Sequence, residues 1–249
     1  MNLTALKQLY GTTPEGGIWL AENKNNDNAS FELTEKQIEY YDSIKNPPKY
    51  SAPTYEAVRL AFWEFYKFEV AKGGKTPIIT AELAVILKNC CLWLIDDKSG
   101  NYAANKGLFF YGSKGTGKTA ILKAIQKTAN YYKMPKSFLV SEAPKIFDDV
   151  QLVKDFNISQ YYKETRCFDD IGFSEPHINS FGNIIRPMEV ILRNRYNSFM
   201  LDGMLTHVST NLDSDGLKVH FDERVLDRFT EMFNIVLFKG DSFRRIKPI

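Results

Sequence analysis

The chain has 249 residues, of which 44% are apolar and 14% aromatic. This composition provides enough apolar surface for a folded core and excludes a disordered chain. The 32 basic and 30 acidic residues leave a formal charge of +2, so no overall field indicates a nucleic-acid partner. Any nucleic-acid surface therefore has to be a local patch.

Cysteine usage and the distribution of apolar residues indicate the compartment. The three cysteines and three histidines lack the spacing of a disulfide framework or a zinc site, which favours a reducing environment. The first 24 residues contain no apolar signal core, and the most apolar later stretch, 81–95, is interrupted by charged residues. We expect a cytoplasmic protein without a membrane partner.

The first third of the chain differs in pattern from the rest. A helix is predicted at 34–44 and a stronger one at 54–72, between polar or proline-broken loops. The stronger helix carries an aromatic face that includes Glu69, and such a face either docks a partner or, more commonly, packs against its own neighbours. We expect a small, mostly helical N-terminal region at 1–75, which binds a partner or is an appendage, before a core at 76–249.

The core alternates short apolar strands with amphipathic helices after an apolar helix that begins near residue 80. Strands are predicted at 108–111, 137–140, 166–169, 204–209 and 234–238, and helices at 118–132, 143–150, 187–198 and 221–231. This alternation predicts an α/β fold with a five-stranded parallel sheet flanked by helices. Functional residues are expected at the carboxyl ends of the strands.

A complete phosphate-binding loop directly follows the first core strand and directly precedes a helix. Its glycines let backbone N–H groups face a phosphate, and the helix start adds partial positive charge. Lys118 is expected to reach the β- and γ-phosphates of ATP, and Thr119 to hold Mg²⁺. A surface glycine turn is the alternative. The predicted binding residues are Gly112, Ser113, Lys114, Gly115, Thr116, Gly117, Lys118, Thr119 and Ala120.

Two adjacent aspartates end the third core strand. In a phosphate-loop enzyme, the first carboxylate at such a strand end holds Mg²⁺ and the second polarises the attacking water. Asp169 and Asp170 are assigned these roles, with an ordinary turn as the alternative. Asp170 is one methylene shorter than glutamate, so hydrolysis is expected to be slow. Asn211, at the end of the fourth strand, is placed where its amide contacts the γ-phosphate or the water.

The order of these motifs resembles that of the AAA+ ATPases of the DnaC helicase-loader and IstB transposition-helper group, over roughly residues 81–245. Beyond the phosphate loop and the aspartates, four stretches carry the resemblance: 191–196 (Ile-Leu-Arg-Asn-Arg-Tyr), 206–212 (Thr-His-Val-Ser-Thr-Asn-Leu), 221–229 (Phe-Asp-Glu-Arg-Val-Leu-Asp-Arg-Phe) and 240–244 (Gly-Asp-Ser-Phe-Arg). By this resemblance Asn211 is the first sensor, Arg228 an arginine finger for a neighbouring subunit, and Arg244 a second sensor.

The arginines have other interpretations. Arg224 is a second candidate for the finger, and Arg224 and Arg228 also fit a solvated, ion-paired helix face. A finger acting between subunits implies a homo-oligomer in the ATP-bound form. The residues after the fifth strand, 239–249, leave no room for a full C-terminal lid, as the resemblance implies. Lys114 and Asp170 depart from the family pattern, and both bear on the rate of hydrolysis.

The resemblance implies an ATP-hydrolysing loader that places a replicative helicase on single-stranded DNA. Two alternatives stay open: an ATPase that assists a transposase, and a non-hydrolysing adaptor that uses ATP only to fix its shape. Direct DNA contact is considered for Tyr131, Tyr132, Lys133 and Lys136, where a solvated helix end is an equal explanation. His207, in a core strand, is expected to have a structural role.

Overall fold

The computed structural model describes residues 53–153, 156–172, 177–180, 183–240 and Ser242. The chain divides into two units, of which the second begins at Ser51, and all described residues lie in this second unit. The predicted helix at 34–44 and the predicted sensor Arg244 lie outside the described residues. No helix in the described part is both long enough and apolar enough to span a membrane.

Helices and strands alternate through most of the described residues. Among them, the α-helices are α1 (Tyr55–Ala71), α2 (Ala81–Leu94), α3 (Lys118–Tyr131), α4 (Ala143–Leu152), α5 (Pro187–Asp202), α6 (Ser214–His220) and α7 (Glu223–Met232). The strands are β1 (Gly107–Gly112), β2 (Leu139–Glu142), β3 (Arg166–Ile171), β4 (Ile178–Ser180), β5 (Asn183–Ile185), β6 (Thr206–Thr210) and β7 (Phe233–Phe238). A 3₁₀ helix spans Ile158–Tyr161.

Five strands form one sheet in the order β2-β3-β6-β1-β7, and every pairing within it is parallel. The predicted five-stranded parallel sheet is therefore confirmed. Because β6 lies between β1 and β3, the ends of these three strands meet at one edge of the sheet. That edge carries the phosphate loop after β1 and the two aspartates of β3. The other two strands, β4 and β5, form a separate antiparallel pair.

The interior strand β1 shows that the sheet is covered on both faces. Leu108 and Phe110 pack into a cluster with residues of α1, α2 and α3, whereas Phe109 packs on the opposite face with residues of α4, α5 and α7. All three side chains are buried. An uninterrupted apolar run is what a strand needs when neither face meets water.

Helix α1 belongs to the same packed unit as the sheet. The Thr54 side chain caps its first turn by accepting a hydrogen bond from the Ala57 amide, and its apolar face buries Val58, Phe62 and Tyr66. These side chains join the cluster that contains α2 and α3. The aromatic face of α1 is thus used in packing against its own chain, which was the more common of the two outcomes predicted for it.

The positions of several elements differ from those predicted. Strand β2 begins at Leu139 instead of residue 137, because a turn closed by the hydrogen bond from the Ser137 amide to the Met134 carbonyl precedes it. Helix α6 was not predicted, since it has no buried residue and therefore no apolar pattern. The short pair β4 and β5 was also missed.

A buried arginine in the middle of α5 connects this helix to the sheet. Arg195 is fully buried and donates to the Thr206 hydroxyl at 2.7 Å and to the carbonyls of Tyr161, Lys163, Glu164 and Leu205. Burial, together with the charge of Arg166, lowers the pKa of Arg195 to about 10. One side chain therefore connects β6 with the segment that leads into β3.

His207 has the structural role predicted for it. Its Nδ1 accepts a hydrogen bond of 3.1 Å from the Leu108 amide, and its ring packs edge-on against Trp93. The side chain is fully buried. Burial, with smaller effects of Arg195 and Lys136, lowers the pKa of His207 to about 3.

We expect His207 to make the protein less stable in mild acid. An unfolded histidine has a pKa of about 6.5 and takes up a proton between pH 7 and pH 5, while folded His207 stays neutral. The free energy of unfolding should thus fall by about 2 kcal/mol over this range. His207→Asn keeps a hydrogen-bond acceptor for the Leu108 amide but has no side chain that titrates in this range. Denaturant titrations at pH 7 and pH 5 should therefore show a fall in its free energy of unfolding that is about 2 kcal/mol smaller than in wild type. Equal falls in both proteins would contradict the assignment.

Lys136 was considered either as a DNA contact or as part of a solvated helix end, and the structure contradicts both interpretations. Its side chain is buried and hydrogen-bonds to the Trp93 carbonyl and the Asp96 carboxylate. Its ammonium group also lies 4.3 Å from the centre of the Trp93 ring. Lys136 is thus a core residue that anchors the end of α2, and it is not accessible to a DNA strand.

Candidate nucleotide site

Residues 112–119 form a tight loop between β1 and α3. Gly117 precedes the first residue of α3 with a φ of 91°, a left-handed conformation that favours glycine. Gly112 has a φ of 120°, and a Cβ at this position would lie 2.3 Å from the Phe238 carbonyl oxygen of β7. Glycine is thus required at both ends of the loop. The 14-residue helix α3 directs its N-terminus, with its partial positive charge, at the space that the loop encloses.

The loop holds its lysine against its own backbone. Lys118 Nζ donates to the Gly112 carbonyl at 2.9 Å and to the Ser113 carbonyl at 2.8 Å. Thr116 supports the loop by donating its hydroxyl to the Ser113 carbonyl. Only 6% of Lys118 is exposed, so its ammonium group lies within the loop at the mouth of the cavity. Phosphate oxygens bind an ammonium group more strongly than neutral carbonyls do.

The residues predicted to hold Mg²⁺ are in contact. Thr119 Oγ1 donates to Asp169 Oδ1 at 3.0 Å, and Asp169 is buried at the end of β3. Among the described residues there is no cluster of three or more histidine, cysteine or acidic side chains that could hold a metal alone. A hydroxyl next to one carboxylate fits Mg²⁺, which is usually bound through one or two carboxylates together with substrate phosphates.

Asp170 has an unusual backbone conformation. Its φ is 61°, and the register of β3 against β6 shifts between Phe168 and Ile171. This β-bulge turns two successive carboxylates toward the same edge of the sheet. Asn211 Nδ2 donates to Asp170 Oδ1 at 2.5 Å, so the residues predicted to polarise water and to sense the γ-phosphate are direct neighbours.

A cavity of about 530 Å³ is surrounded by the phosphate loop, by the ends of β3 and β6, and by α1 with the segment that follows it. A cavity of this volume is in the usual range for a small-molecule ligand. It is lined by residues of the loop from Lys114 to Ala120 and by Lys123, Asp170, Ser209 and Asn211, and on the other side by Tyr66, Glu69, Val70, Lys72, Lys75, Thr76 and Ile78.

The wall formed by α1 was not predicted as part of the site. Glu69, whose side chain is 5% exposed, forms ion pairs with Lys127 at 2.6 Å and Lys72 at 2.9 Å. Burial acts against the charged form, but the two lysines lower the pKa of Glu69 overall. Tyr66 lies beside the loop, 3.6 Å from where a Gly117 Cβ would be. The signal in the sequence that could have pointed to this wall was an acidic residue, Glu69, on the aromatic face of the predicted helix.

The predicted arginine finger lies outside the cavity of its own chain. Arg228 is half-buried on α7, and its guanidinium stacks 4.5 Å from the centre of the Tyr196 ring. Tyr196 in turn donates its hydroxyl to Glu231 at 2.9 Å. Arg224, the second candidate, is exposed one turn earlier. Neither arginine is among the residues that line the cavity.

The sheet order, the glycine loop at the start of α3 and the paired Thr119 and Asp169 define a phosphate-loop α/β core with a fold of the AAA+ type. The fold class expected from the motif order is therefore confirmed.

Comparison with solved structures gives the same fold. The DnaC helicase loader matches with a TM-score of 0.51 and 19% sequence identity, over 72% of this chain and 98% of that chain. A candidate primosome component from Streptococcus pyogenes serotype M3 matches with a TM-score of 0.52 and 18% identity, over 73% of this chain and 90% of that chain. No protein-family model and no curated protein matches the sequence.

Proposed function

We propose that this chain binds ATP in the cavity above α3 and hydrolyses it to ADP and phosphate. The observation that carries this proposal is the contact between Thr119 and Asp169 at the end of the glycine loop. It joins the two halves of a metal and phosphate site, which come from positions 50 residues apart in the chain.

Each residue of the site has a defined part in this chemistry. Lys118 binds the β- and γ-phosphates in place of the loop carbonyls, and the amides at the start of α3 bind the β-phosphate. Thr119 and Asp169 would hold Mg²⁺, which neutralises charge that develops on the phosphate oxygens. Asp170 orients the attacking water and accepts its proton, and Asn211 donates to the γ-phosphate or to the water.

We further propose that the ATPase acts in the cytoplasm as a loader of a replicative helicase on single-stranded DNA. The order of motifs resembles the loader group, and the DnaC helicase loader has the same fold. The second matched structure is described as a candidate primosome component, which favours replication over the assistance of a transposase. Within the N-terminal region expected at residues 1–75, the proposed binding site for the helicase is the part before α1, because α1 packs with α2 and α3 and borders the cavity.

A loading assay with the full chain tests this proposal. The hexameric replicative helicase of the same cell is mixed with single-stranded DNA, ATP and this protein, and bound helicase is measured after DNA capture. We expect ATP-dependent retention of the helicase, and no increase with Lys118→Ala. Equal retention with and without this protein would contradict helicase loading. A stimulated transposase in a parallel reaction would support the transposition alternative.

A non-hydrolysing adaptor is the second candidate function, and the Asn211–Asp170 contact favours it. The amide donates to one Asp170 oxygen at 2.5 Å, which leaves fewer of the carboxylate's acceptor positions for the attacking water. Phosphate release that stays at the buffer level with saturating ATP, with and without single-stranded DNA, would support the adaptor and contradict the ATPase.

We expect Arg228→Ala to leave ATP binding within about twofold and to lower turnover by about 10²-fold or more, since a finger stabilises charge only in the transition state. Because Arg228 lies outside the cavity of its own chain, it would act on ATP bound to a neighbouring subunit. The loss of turnover should therefore appear only at protein concentrations at which subunits assemble. ATP binding and phosphate release are measured across a range of protein concentrations.

Mixing variants separates a finger from a structural arginine. The Lys118→Ala protein has an intact Arg228, and the Arg228→Ala protein has an intact cavity. In a mixture, the arginine of the first can complete the cavity of the second, so the mixture should regain turnover that neither variant shows alone. Arg193→Ala, a change at an exposed arginine of α5, should behave as wild type. If Arg228→Ala hydrolyses ATP at the normal rate, the finger assignment is wrong, and the same assay of Arg224→Ala tests the second candidate.

A further inference from the structure

We infer that Ser209 is a positioning residue for both aspartates of the site. No role was predicted for it from the sequence, although it stands between the strand core and Asn211. The inference rests on the proposed nucleotide site and adds one side chain that sets its geometry. Its physical basis is a single hydroxyl that connects Asp169 and Asp170.

The bulge in β3 creates the need for this hydroxyl. Phe168 pairs with Val208 and Ile171 pairs with Thr210, so Asp169 and Asp170 together face the single residue Ser209. A bulge leaves its extra residue without the regular ladder of hydrogen bonds. Here the Asp170 amide donates to Ser209 Oγ at 3.0 Å, which provides a partner for the backbone of the extra residue.

The same hydroxyl also fixes the first carboxylate. Ser209 Oγ donates its proton to Asp169 Oδ1, the oxygen that accepts from Thr119. Because the hydroxyl accepts from one aspartate and donates to the other, it has a defined orientation. Only 2% of Ser209 is exposed, so water cannot easily replace these bonds, yet its side chain borders the cavity.

Two consequences follow for the site. The Asp169 carboxylate is held toward Thr119, which is the orientation that a metal site requires. The backbone at Asp170 is held at a φ of 61°, which directs its carboxylate to Asn211. Side chains that orient metal ligands typically affect metal affinity or activity by about 10- to 100-fold when they are removed.

The test compares Ser209→Ala with Ser209→Thr, which keeps the hydroxyl, and with Thr210→Val as the matched control. The Thr210 hydroxyl is fully buried on the same strand, but it donates to the Ile171 carbonyl and accepts from the Leu212 amide. Affinity for a fluorescent ATP analogue is measured in EDTA and across a Mg²⁺ titration, together with phosphate release and thermal stability.

We expect Ser209→Ala to bind the analogue in EDTA with an affinity within about twofold of wild type. It should need about tenfold more Mg²⁺ to reach half of the metal-dependent gain in affinity, and its turnover should fall by about 10- to 100-fold. Ser209→Thr should restore the Mg²⁺ dependence. Thr210→Val should keep the wild-type Mg²⁺ curve even where its thermal stability falls.

A wild-type Mg²⁺ curve in Ser209→Ala would overturn the inference, and so would an equal shift of the curve in Thr210→Val. Wild-type protein that binds the analogue but releases no phosphate would contradict the proposed ATPase, while the binding curves would still decide the role of Ser209. If analogue binding to wild type were insensitive to Mg²⁺, the inference would be wrong even with turnover intact.

Discussion

Lys118→Ala should lower ATP turnover by about 10² to 10³-fold and weaken ATP binding by at least about 30-fold. The ammonium group is buried against the Gly112 and Ser113 carbonyls, and Lys118 lines the cavity. A charge-assisted hydrogen bond contributes about 2 kcal/mol to binding, which is about a 30-fold change in affinity. Its larger effect on turnover reflects the charge that develops during transfer of the phosphoryl group.

Equilibrium titration with ATP and continuous measurement of phosphate release check this expectation. Lys88→Ala is a suitable control, since it removes an exposed lysine of α2 that does not border the cavity. It should match wild type in both assays. Lys118→Ala protein with a normal melting temperature and normal ATP affinity would show that the loop is not a phosphate site.

Asp170→Asn should bind ATP normally and hydrolyse it about 10² to 10⁴-fold more slowly. The carboxamide fits the same space and keeps an oxygen that accepts from Asn211, but it cannot take a proton from the attacking water. Binding depends on the loop and on Asp169, which the substitution leaves unchanged. The two effects should therefore separate: unchanged affinity in titrations and lost phosphate release.

Asp215→Asn is the matched control for this charge change, because the Asp215 side chain is 92% exposed and lies far along the chain in α6. It should release phosphate at the wild-type rate. Turnover of Asp170→Asn at the wild-type rate would remove Asp170 as the base and leave Asp169 as the only functional carboxylate of β3.

The core of the fold could be predicted because its signals are local. The apolar run of β1, the glycine loop and the start of α3 at Lys118 follow one another directly, and each restricts the backbone by itself. Helix α6 could not be predicted, because it has no buried residue that would give it an apolar pattern, although Asp213 caps its start. The packing of α1 against α3 was not predicted either, since one sequence does not show which apolar faces meet.

The sequence singled out residues that lie together in the structure and whose roles stay predictions, but it did not indicate their geometry. Thr119 contacts Asp169, and Asn211 contacts Asp170, because the order of the parallel strands brings the carboxyl ends of β1, β3 and β6 to one edge of the sheet. The bulge at Asp170 depends on the register between β3 and β6, a property of the folded sheet. The burial of Lys136 could not be predicted, because the sequence does not show that its ammonium group lies over the Trp93 ring of α2.

Competition binding at one site measures most directly whether phosphate groups are what the cavity recognises. Unlabelled ATP, ADP and AMP are titrated against a fluorescent ATP analogue bound to the wild-type protein in the presence of Mg²⁺. Because the loop, Lys118 and Asp169 are all proposed to act on the β- and γ-phosphates, ATP should displace the analogue at least about 100-fold more effectively than AMP. Equal displacement by ATP and AMP, or no saturable binding of the analogue, would contradict the nucleotide site.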